Sequence, residues 1–201
     1  MTDEHVRRAY SARATEYTSI LGSIEDMHGL DQEHIASWAK DVNGPIVDAG
    51  CGPGHWTDFL YRRGAEISGL DLVEEFVAEA RIRFPNSRFH LASLRSMGFG
   101  DKSIQGVLAW YSLIHVPPLD LPDVLAEFAR VLGPQGHLLI GMFRGDSGRS
   151  FDHAVSPAYL WSVEHMSRLL QEAGFDIVGV QTRCDPGQRP HAAISAIRRS
   201  L

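Results

Sequence analysis

The sequence predicts an α/β fold in which a parallel sheet is covered by helices on both faces. Short apolar runs alternate along the chain with segments whose apolar residues recur every three or four positions. The first run, residues 46–49, leads into a glycine-rich turn, and residues 106–111 are apolar throughout, which is typical of a strand buried on both faces. Strands that alternate with helices pair in parallel because each helix carries the chain back across the sheet.

Each element is predicted from a local pattern. Helical spacing covers residues 3–21, 30–42, 55–60, 73–84, 121–132 and a segment that Ser162 caps and Gly174 ends. Strands are expected over residues 46–49, 66–70, 88–91, 106–111, 137–143, 176–182 and 192–198. Residues 144–161 have no clear period, and connections of that length are commonly lids or binding loops.

Composition excludes several classes of protein. The 201 residues suit one domain, which we expect to span residues 1–201 with a helical cap over 1–44 and a core over 45–201. With 19 Lys and Arg against 25 Asp and Glu, the net charge of −6 argues against nucleic acid as a partner. No apolar run approaches the roughly 18 residues of a membrane span, and the acidic N-terminus is unlike a secretory signal. We therefore expect a cytoplasmic protein without a membrane partner, either a monomer or a homodimer. The two cysteines, Cys51 and Cys184, are too few for a disulfide framework and too far apart for a zinc site.

The glycine-rich turn after the first strand is the first candidate binding element. Gly50 and Gly52 allow backbone to approach a ligand where a Cβ atom would clash. The dinucleotide fingerprint needs a third glycine where this chain has His55, and no Gly-Lys-Ser/Thr of a triphosphate loop follows. Asp48, just before the turn, disfavours a neighbouring pyrophosphate and favours a cationic ligand or a ligand amine.

Asp71 is the second element, at the end of the second strand and 21 residues after Gly50. A carboxylate at that strand end can accept hydrogen bonds from two ribose hydroxyls. The combination of Asp48, the glycine turn and Asp71 is more specific than any one of them, and it predicts a nucleoside site.

Four segments resemble motifs of class I S-adenosylmethionine-dependent methyltransferases, in the branch similar to ubiquinone and menaquinone biosynthesis methyltransferases. They are Val47-Asp48-Ala49-Gly50-Cys51-Gly52-Pro53-Gly54, Leu70-Asp71-Leu72 with Phe76, residues 108–115 and residues 128–140. The resemblance implies a Rossmann-like three-layer sandwich with a seven-stranded sheet of order 3-2-1-4-5-7-6 and an antiparallel strand 7. It also implies S-adenosylmethionine as cofactor and S-adenosylhomocysteine as product.

The same resemblance assigns residues to the cofactor. Gly50 and Gly52 would hold the methionine portion, Asp71 the ribose, and Leu72 the adenine. The family often has an acidic residue after strand three that accepts from the adenine amino group; here Ala92-Ser93-Leu94 stands there, so Ser93 or a backbone carbonyl must substitute. The full set of expected cofactor contacts is Tyr17, Asp48, Gly50, Gly52, Trp56, Asp71, Leu72, Ser93, Leu94, Ala109 and Trp110.

Lid and catalytic candidates come from other segments. Tyr10 and Tyr17 lie seven residues apart, so they either pack in the core or close over the cofactor near the sulfonium. Trp110 and Tyr111 end a strand where α/β sheets bind ligands, with core packing as the alternative. His115, on the following loop, is the best general base, and Tyr111 is a second catalytic candidate. His153, His165 and His191 are alternatives, and no histidine spacing predicts a metal site.

The predicted function is methyl transfer by in-line displacement to an O, N, S or C nucleophile of a small molecule. No Asn/Asp-Pro-Pro-Tyr motif follows strand four, which argues against methylation of nucleobase amines. Residues 1–25 and 144–161 would cover the acceptor, and Arg144 and Arg149 could steer an anionic one. The alternatives are a protein that binds the cofactor without transfer and an NAD(P)-dependent oxidoreductase.

Overall fold

A seven-stranded sheet forms the centre of the computed structural model, which describes residues 3–200. Its strands are β1 (Ile46–Ala49), β2 (Ile67–Asp71), β3 (Arg88–Leu91), β4 (Ile104–Trp110), β5 (Leu132–Phe143), β6 (Phe175–Arg183) and β7 (His191–Arg198). The order is β3-β2-β1-β4-β5-β7-β6, and β7 is antiparallel to both of its neighbours. The other pairs are parallel, which confirms the predicted fold class and strand order.

Helices cover both faces of the sheet. They are α1 (Asp3–Ser11), α2 (Ala14–Leu21), α3 (Gly29–Lys40), α4 (His55–Tyr61), α5 (Glu74–Arg83), α6 (Leu121–Val131) and α7 (Val163–Glu172). Neighbouring residues of β4 show the two faces, because successive strand side chains point in opposite directions. Leu108 packs with Ile35 of α3 and Phe59 of α4, whereas Val107 shares a core cluster with Phe128 of α6. The arrangement leaves the carboxyl ends of the parallel strands at one edge of the sheet.

The N-terminal segment differs from the single helix that was predicted over residues 3–21. The helix ends at Ser11 and a second begins at Ala14, with a tight turn in which the Arg13 amide donates to the Tyr10 carbonyl at 3.0 Å. Ala14 is buried against Phe76 of α5, so tertiary packing bends a segment that contains no proline or glycine. The side chain of Leu21, the last apolar residue of the predicted stripe, lies outside the described set.

The start of β5 also differs from the prediction. The strand begins at Leu132, five residues before the predicted start, and the Gly133-Pro134 turn lies inside it. Leu132 pairs with Ile104 and His137 pairs with Gly106, so residues 133–136 bulge out of the register, with Gln135 at φ +60°. A bulge of this kind keeps a turn sequence within a strand.

Residues 144–161, for which the sequence predicts a lid or binding loop, contain a short hairpin. Ser150–Phe151 pairs antiparallel with Ala158–Tyr159. The connecting residues reach the N-terminal helices, because the Arg13 guanidinium donates to the Ala154 carbonyl. The two segments that were expected to cover the site therefore touch each other.

Candidate active site

A cavity of about 100 Å³ opens at the carboxyl ends of β1, β2 and β4. Parallel α/β sheets bind ligands at this edge, where loops and helix N-termini meet. The lining combines strand-end residues with side chains from the N-terminal helices. Its members are Val6, Tyr10, Tyr17, Gly50, Gly52, Leu70, Asp71, Leu72, Val73, Phe76, Ala92, Leu94, Trp110, Tyr111, Ser112 and His115.

The glycine turn forms one wall in a backbone conformation that side chains disfavour. Gly50 has φ +81° and Gly52 has φ +52°, both in the left-handed region. A Cβ atom on Gly50 would lie 2.3 Å from the Cβ atom of Ser112, far inside van der Waals contact. Glycine at position 50 therefore lets the end of β4 approach the turn and leaves bare backbone beside the cavity.

Asp71 joins the turn to the second strand. Its carboxylate accepts hydrogen bonds from the Gly52 amide at 2.8 Å and the Val73 amide at 2.9 Å. Burial raises the pKa of Asp71 to about 6, although these amides oppose the shift. A carboxylate has about four lone-pair sites, so Asp71 can support the turn and still accept from hydroxyls of a ligand in the cavity.

Ser112 is a site residue that the sequence analysis missed. Its Oγ atom is buried and has no hydrogen-bond partner within residues 3–200. Buried hydroxyls usually have a hydrogen-bond partner. Because Ser112 lines the cavity, its hydroxyl is available to a ligand that binds there. The only signal in the sequence is its place directly after Tyr111, at the end of β4.

Tyr111 has an unusual backbone conformation for a large side chain, with φ +56°. Its hydroxyl lies 2.5 Å from Nδ1 of His191, on β7, and burial lowers the pKa of His191 to about 4. Burial also raises the pKa of the Tyr111 phenol. Backbone strain of this type is found at functional sites, and here it turns the Tyr111 ring toward His191 at the end of the sheet.

His115 is held by hydrogen bonds at both of its ring nitrogens, one to the hairpin of residues 144–161 and one to α1. Its Nδ1 lies 2.9 Å from the Pro157 carbonyl, and its Nε2 lies 2.7 Å from the Tyr10 hydroxyl. A carbonyl only accepts, so Nδ1 carries the proton and Nε2 accepts from Tyr10. Burial lowers the pKa of His115 to about 4, so the imidazole is neutral at physiological pH. A neutral imidazole can act as a base through Nε2 once the Tyr10 hydroxyl has left that nitrogen.

Aromatic side chains close the cavity above the turn. The ring centroids of Tyr10, Tyr17 and Phe76 lie 5.3–5.8 Å apart, so the two tyrosines meet although they belong to different helices. Burial raises the pKa of Tyr17 to about 12. The cavity is smaller than the roughly 300–1,000 Å³ of typical ligand pockets. The aromatic side chains therefore narrow the space beside the glycine turn.

Three of the predicted contact residues lie behind the cavity wall. Asp48 is 1% exposed and accepts a hydrogen bond from the Thr57 hydroxyl at 2.7 Å, and burial raises its pKa to about 7. The Trp56 ring packs at 6.2 Å from Trp110, and Ala109 is part of the core. All three lie outside the lining residues of the cavity and support the residues that form it.

The other predicted residues fall into two groups. Gly50, Gly52, Asp71, Leu72, Leu94, Trp110, Tyr17, Tyr111 and His115 line the main cavity, and Ser93 lines a smaller adjoining one. Arg144 and Arg149 are exposed, and Arg149 lies 3.6 Å from Asp146.

A different cation, Arg189, lies 4.0 Å above the Phe151 ring, near His153. His153 stacks edge-on to His115 at 5.2 Å.

Comparison with known proteins agrees with this geometry. Residues 46–136 match the model of a methyltransferase domain family. This match supports the resemblance to class I S-adenosylmethionine-dependent methyltransferases over slightly less than half of the chain. The matched segment covers β1 to the start of β5, and so it includes the glycine turn, Asp71 and the Tyr111–His115 segment.

One relative and two solved structures illustrate the similarity. The malonyl-(acyl-carrier protein) O-methyltransferase of Erwinia billingiae is 28% identical over 153 residues, which are 76% of this chain and 59% of the relative. The chain thus spans little more than half of that relative's length. A Burkholderia thailandensis 1,6-didemethyltoxoflavin-N1-methyltransferase has TM-score 0.79 at 19% identity, over 100% of this chain and 92% of the other. The (4+2)-cyclase SpnF has TM-score 0.81 at 17% identity, over 100% and 98%.

Two further features of residues 3–200 concern membrane spans and metal sites. None of the helices described there has the length and apolar content needed to cross a membrane. Among the same residues, no three His, Cys, Asp or Glu side chains are grouped so that they could hold a metal ion.

Proposed function

We propose that the chain transfers a methyl group from S-adenosylmethionine to a small molecule. The observation that carries this proposal is the convergence of Gly50, Gly52 and Asp71 on one cavity. In that cavity, the buried hydroxyl of Ser112 has no hydrogen-bond partner within residues 3–200. A cofactor with an amino-acid end and a ribose matches both the bare backbone and the carboxylate.

The residues fit this cofactor along the length of the cavity. Gly50 and Gly52 accommodate the methionine portion against backbone, because neither residue contributes a side chain of its own. Asp71 accepts from the ribose hydroxyls, and Leu72 packs on the base. When bound, the cofactor supplies an electrophilic methyl group on a cationic sulfur. Tyr17, with its ring over the turn, offers a π face to that charge.

The acceptor side is formed by Tyr111, His115 and the hairpin of residues 144–161. Methyl transfer depends mainly on alignment and the exclusion of water. The hairpin contacts Arg13, in the turn before α2, and both Pro157 of the hairpin and Tyr10 of α1 bond to His115, which helps to exclude water from the site. Where the acceptor must lose a proton, the hydrogen bond between Tyr10 and His115 breaks, and Nε2 of His115 takes the proton from the acceptor.

A transfer assay tests this function. The protein is incubated with S-adenosylmethionine labelled in the methyl group and with small phenols, carboxylic acids, amines, thiols and quinones, and label is measured in each product. We expect transfer to at least one acceptor class and a loss of about 100-fold in His115→Ala if that acceptor carries a proton. Tight binding of S-adenosylhomocysteine without transfer to any class would favour a protein that binds the cofactor only. The (4+2)-cyclase shows that this fold also occurs in proteins named for other reactions.

A further inference from the structure

A second cavity of about 40 Å³ adjoins the main one beyond Leu72. The two share Val6, Leu72, Leu94, Ser112 and His115 among their lining residues, so they form neighbouring parts of one site. The walls of this part are mostly apolar, whereas one end carries a carboxylate. That carboxylate belongs to Asp3, in the first turn of α1.

Residues after β3 hold Asp3 in place. The Ser93 hydroxyl donates to Oδ2 of Asp3, and the Arg95 guanidinium donates from Nε to Oδ1 at 2.9 Å. Arg95 also donates from Nη2 to Asp120 at 3.0 Å, while its own amide donates to the Ser93 hydroxyl at 3.1 Å. Asp3 is thus fixed in orientation, and the paired guanidinium offsets its charge. Each of its oxygens keeps a lone-pair site beyond the bond already made.

A nucleoside bound through Asp71 can extend its base past Leu72 into this part of the site. Leu72 follows Asp71 directly and lines both cavities, and Leu94 also lines both. A flat base between these side chains loses water from its polar edge and needs partners there. A carboxylate only accepts hydrogen bonds, so the edge that faces Asp3 must present a donor.

We propose that Asp3 accepts a hydrogen bond from the exocyclic amino group of the adenine of the bound cofactor. This inference rests on the proposed function. It replaces the expectation that Ser93 recognises the base, because Ser93 donates its hydroxyl to Asp3 and so positions it. The acidic group that is missing after β3 is thereby supplied by the first helix. Since α1 also contributes Val6 and Tyr10 to the main cavity, the same helix contacts both parts of the site.

Calorimetric titrations of two ligands test this role without an acceptor. S-adenosylhomocysteine presents the amino group, and S-inosylhomocysteine presents a carbonyl oxygen at the same position. The wild-type protein should bind the adenosyl compound at least 10-fold more tightly, since a hydrogen bond to a charged group is worth about 10-fold or more and a carbonyl would oppose the carboxylate. Asp3→Ala should lose most of this preference. Asp3→Asn should narrow or reverse it, because an amide can donate to the carbonyl.

Glu4→Ala is the matched control. Glu4 is the next acidic residue of α1 and pairs with Arg7 and Arg8 on the surface, so the ratio of the two affinities should stay as in the wild type. Equal binding of the two ligands by the wild type would overturn the inference. So would an Asp3→Ala variant that weakens both ligands by the same factor, since that result would show only a structural role in α1. Failure of the wild type to bind S-adenosylhomocysteine at all would contradict the proposed function itself, and this inference with it.

Discussion

Gly50→Ala is expected to destabilise the protein more than a left-handed backbone alone explains. Gly50 has φ +81°, where an L-residue costs about 1–2 kcal/mol. An added Cβ atom would also lie 2.3 Å from the Cβ atom of Ser112 and 3.6 Å from its Cα atom. Because Ser112 continues directly from β4, backbone must shift to relieve this overlap, at a further cost of about 1–3 kcal/mol. The expected loss in the free energy of unfolding is therefore about 2–5 kcal/mol.

Gly64→Ala separates the two contributions. Gly64 has φ +90°, and an added Cβ atom would meet no other atom within 4 Å, so only the backbone cost of about 1–2 kcal/mol should appear. Urea unfolding of both variants, followed by circular dichroism, measures the difference. In a Ser112→Gly background, Gly50→Ala should cost no more than Gly64→Ala. Equal losses for Gly50→Ala and Gly64→Ala in the wild-type background would refute the close packing of the turn against β4.

Three further predictions concern the buried carboxyl of Asp48, the hydrogen bond between Tyr10 and His115, and the ion pair between Asp31 and Arg183. Burial raises the pKa of Asp48 to about 7, so between about pH 4 and 7 the folded protein keeps a proton that the unfolded chain has lost. The free energy of unfolding of the wild type should therefore fall with rising pH, by up to about 1.4 kcal/mol per pH unit in urea titrations. Asp48→Asn should flatten this fall. Tyr10→Phe removes the hydrogen bond to His115 and should speed amide exchange in residues 3–11 by an amount equivalent to about 0.5–1.5 kcal/mol. Asp31→Ala removes one of the two carboxylates that lie 2.6 Å from the Arg183 guanidinium, the other being Asp185, and should cost about 1.5–3 kcal/mol in thermal unfolding.

Each has a control within the chain. Asp146→Asn, at an exposed carboxylate, should keep the wild-type pH slope, and a wild-type protein without that slope would contradict the first prediction. Tyr17→Phe should leave exchange in α1 unchanged, because the Tyr17 hydroxyl makes no hydrogen bond within residues 3–200; equal effects of both tyrosine variants would count against the Tyr10–His115 bond. Asp146→Ala breaks only the exposed pair with Arg149 and should cost less than about 0.5 kcal/mol. A similar value for Asp31→Ala would show that its pair is not buried in solution.

The sequence predicts those parts of the site that depend on neighbours along the chain. The turn at Gly50 and the carboxylate of Asp71 are placed by the ends of two strands, and strand ends follow from local apolar runs. The rings of Tyr10 and Tyr17 do lie together, but on two helices and not on one face of the single predicted helix, because a bend separates α1 from α2.

Contacts between distant residues could not be predicted in this way. Asp3 and Ser93 are 90 positions apart, and His115 meets Pro157 across 42. No local pattern specifies such pairs, because they depend on how the covers fold back onto the sheet. Ser112 was missed for a related reason: its importance arises from the space that Gly50 leaves for it, which only the packed structure defines.

The most direct test of the central claim is a comparison of two ligands on the wild type and on Asp71→Ala. S-adenosylhomocysteine and NAD are titrated separately by calorimetry, with thermal unfolding to confirm that the variant is folded, since Asp71 also accepts from the Gly52 and Val73 amides. We expect S-adenosylhomocysteine to bind more tightly than NAD, and Asp71→Ala to weaken its binding by more than about 10-fold, which is the loss of a hydrogen bond to a charged group. Tighter binding of NAD, or unchanged binding of S-adenosylhomocysteine by a folded Asp71→Ala variant, would contradict the account.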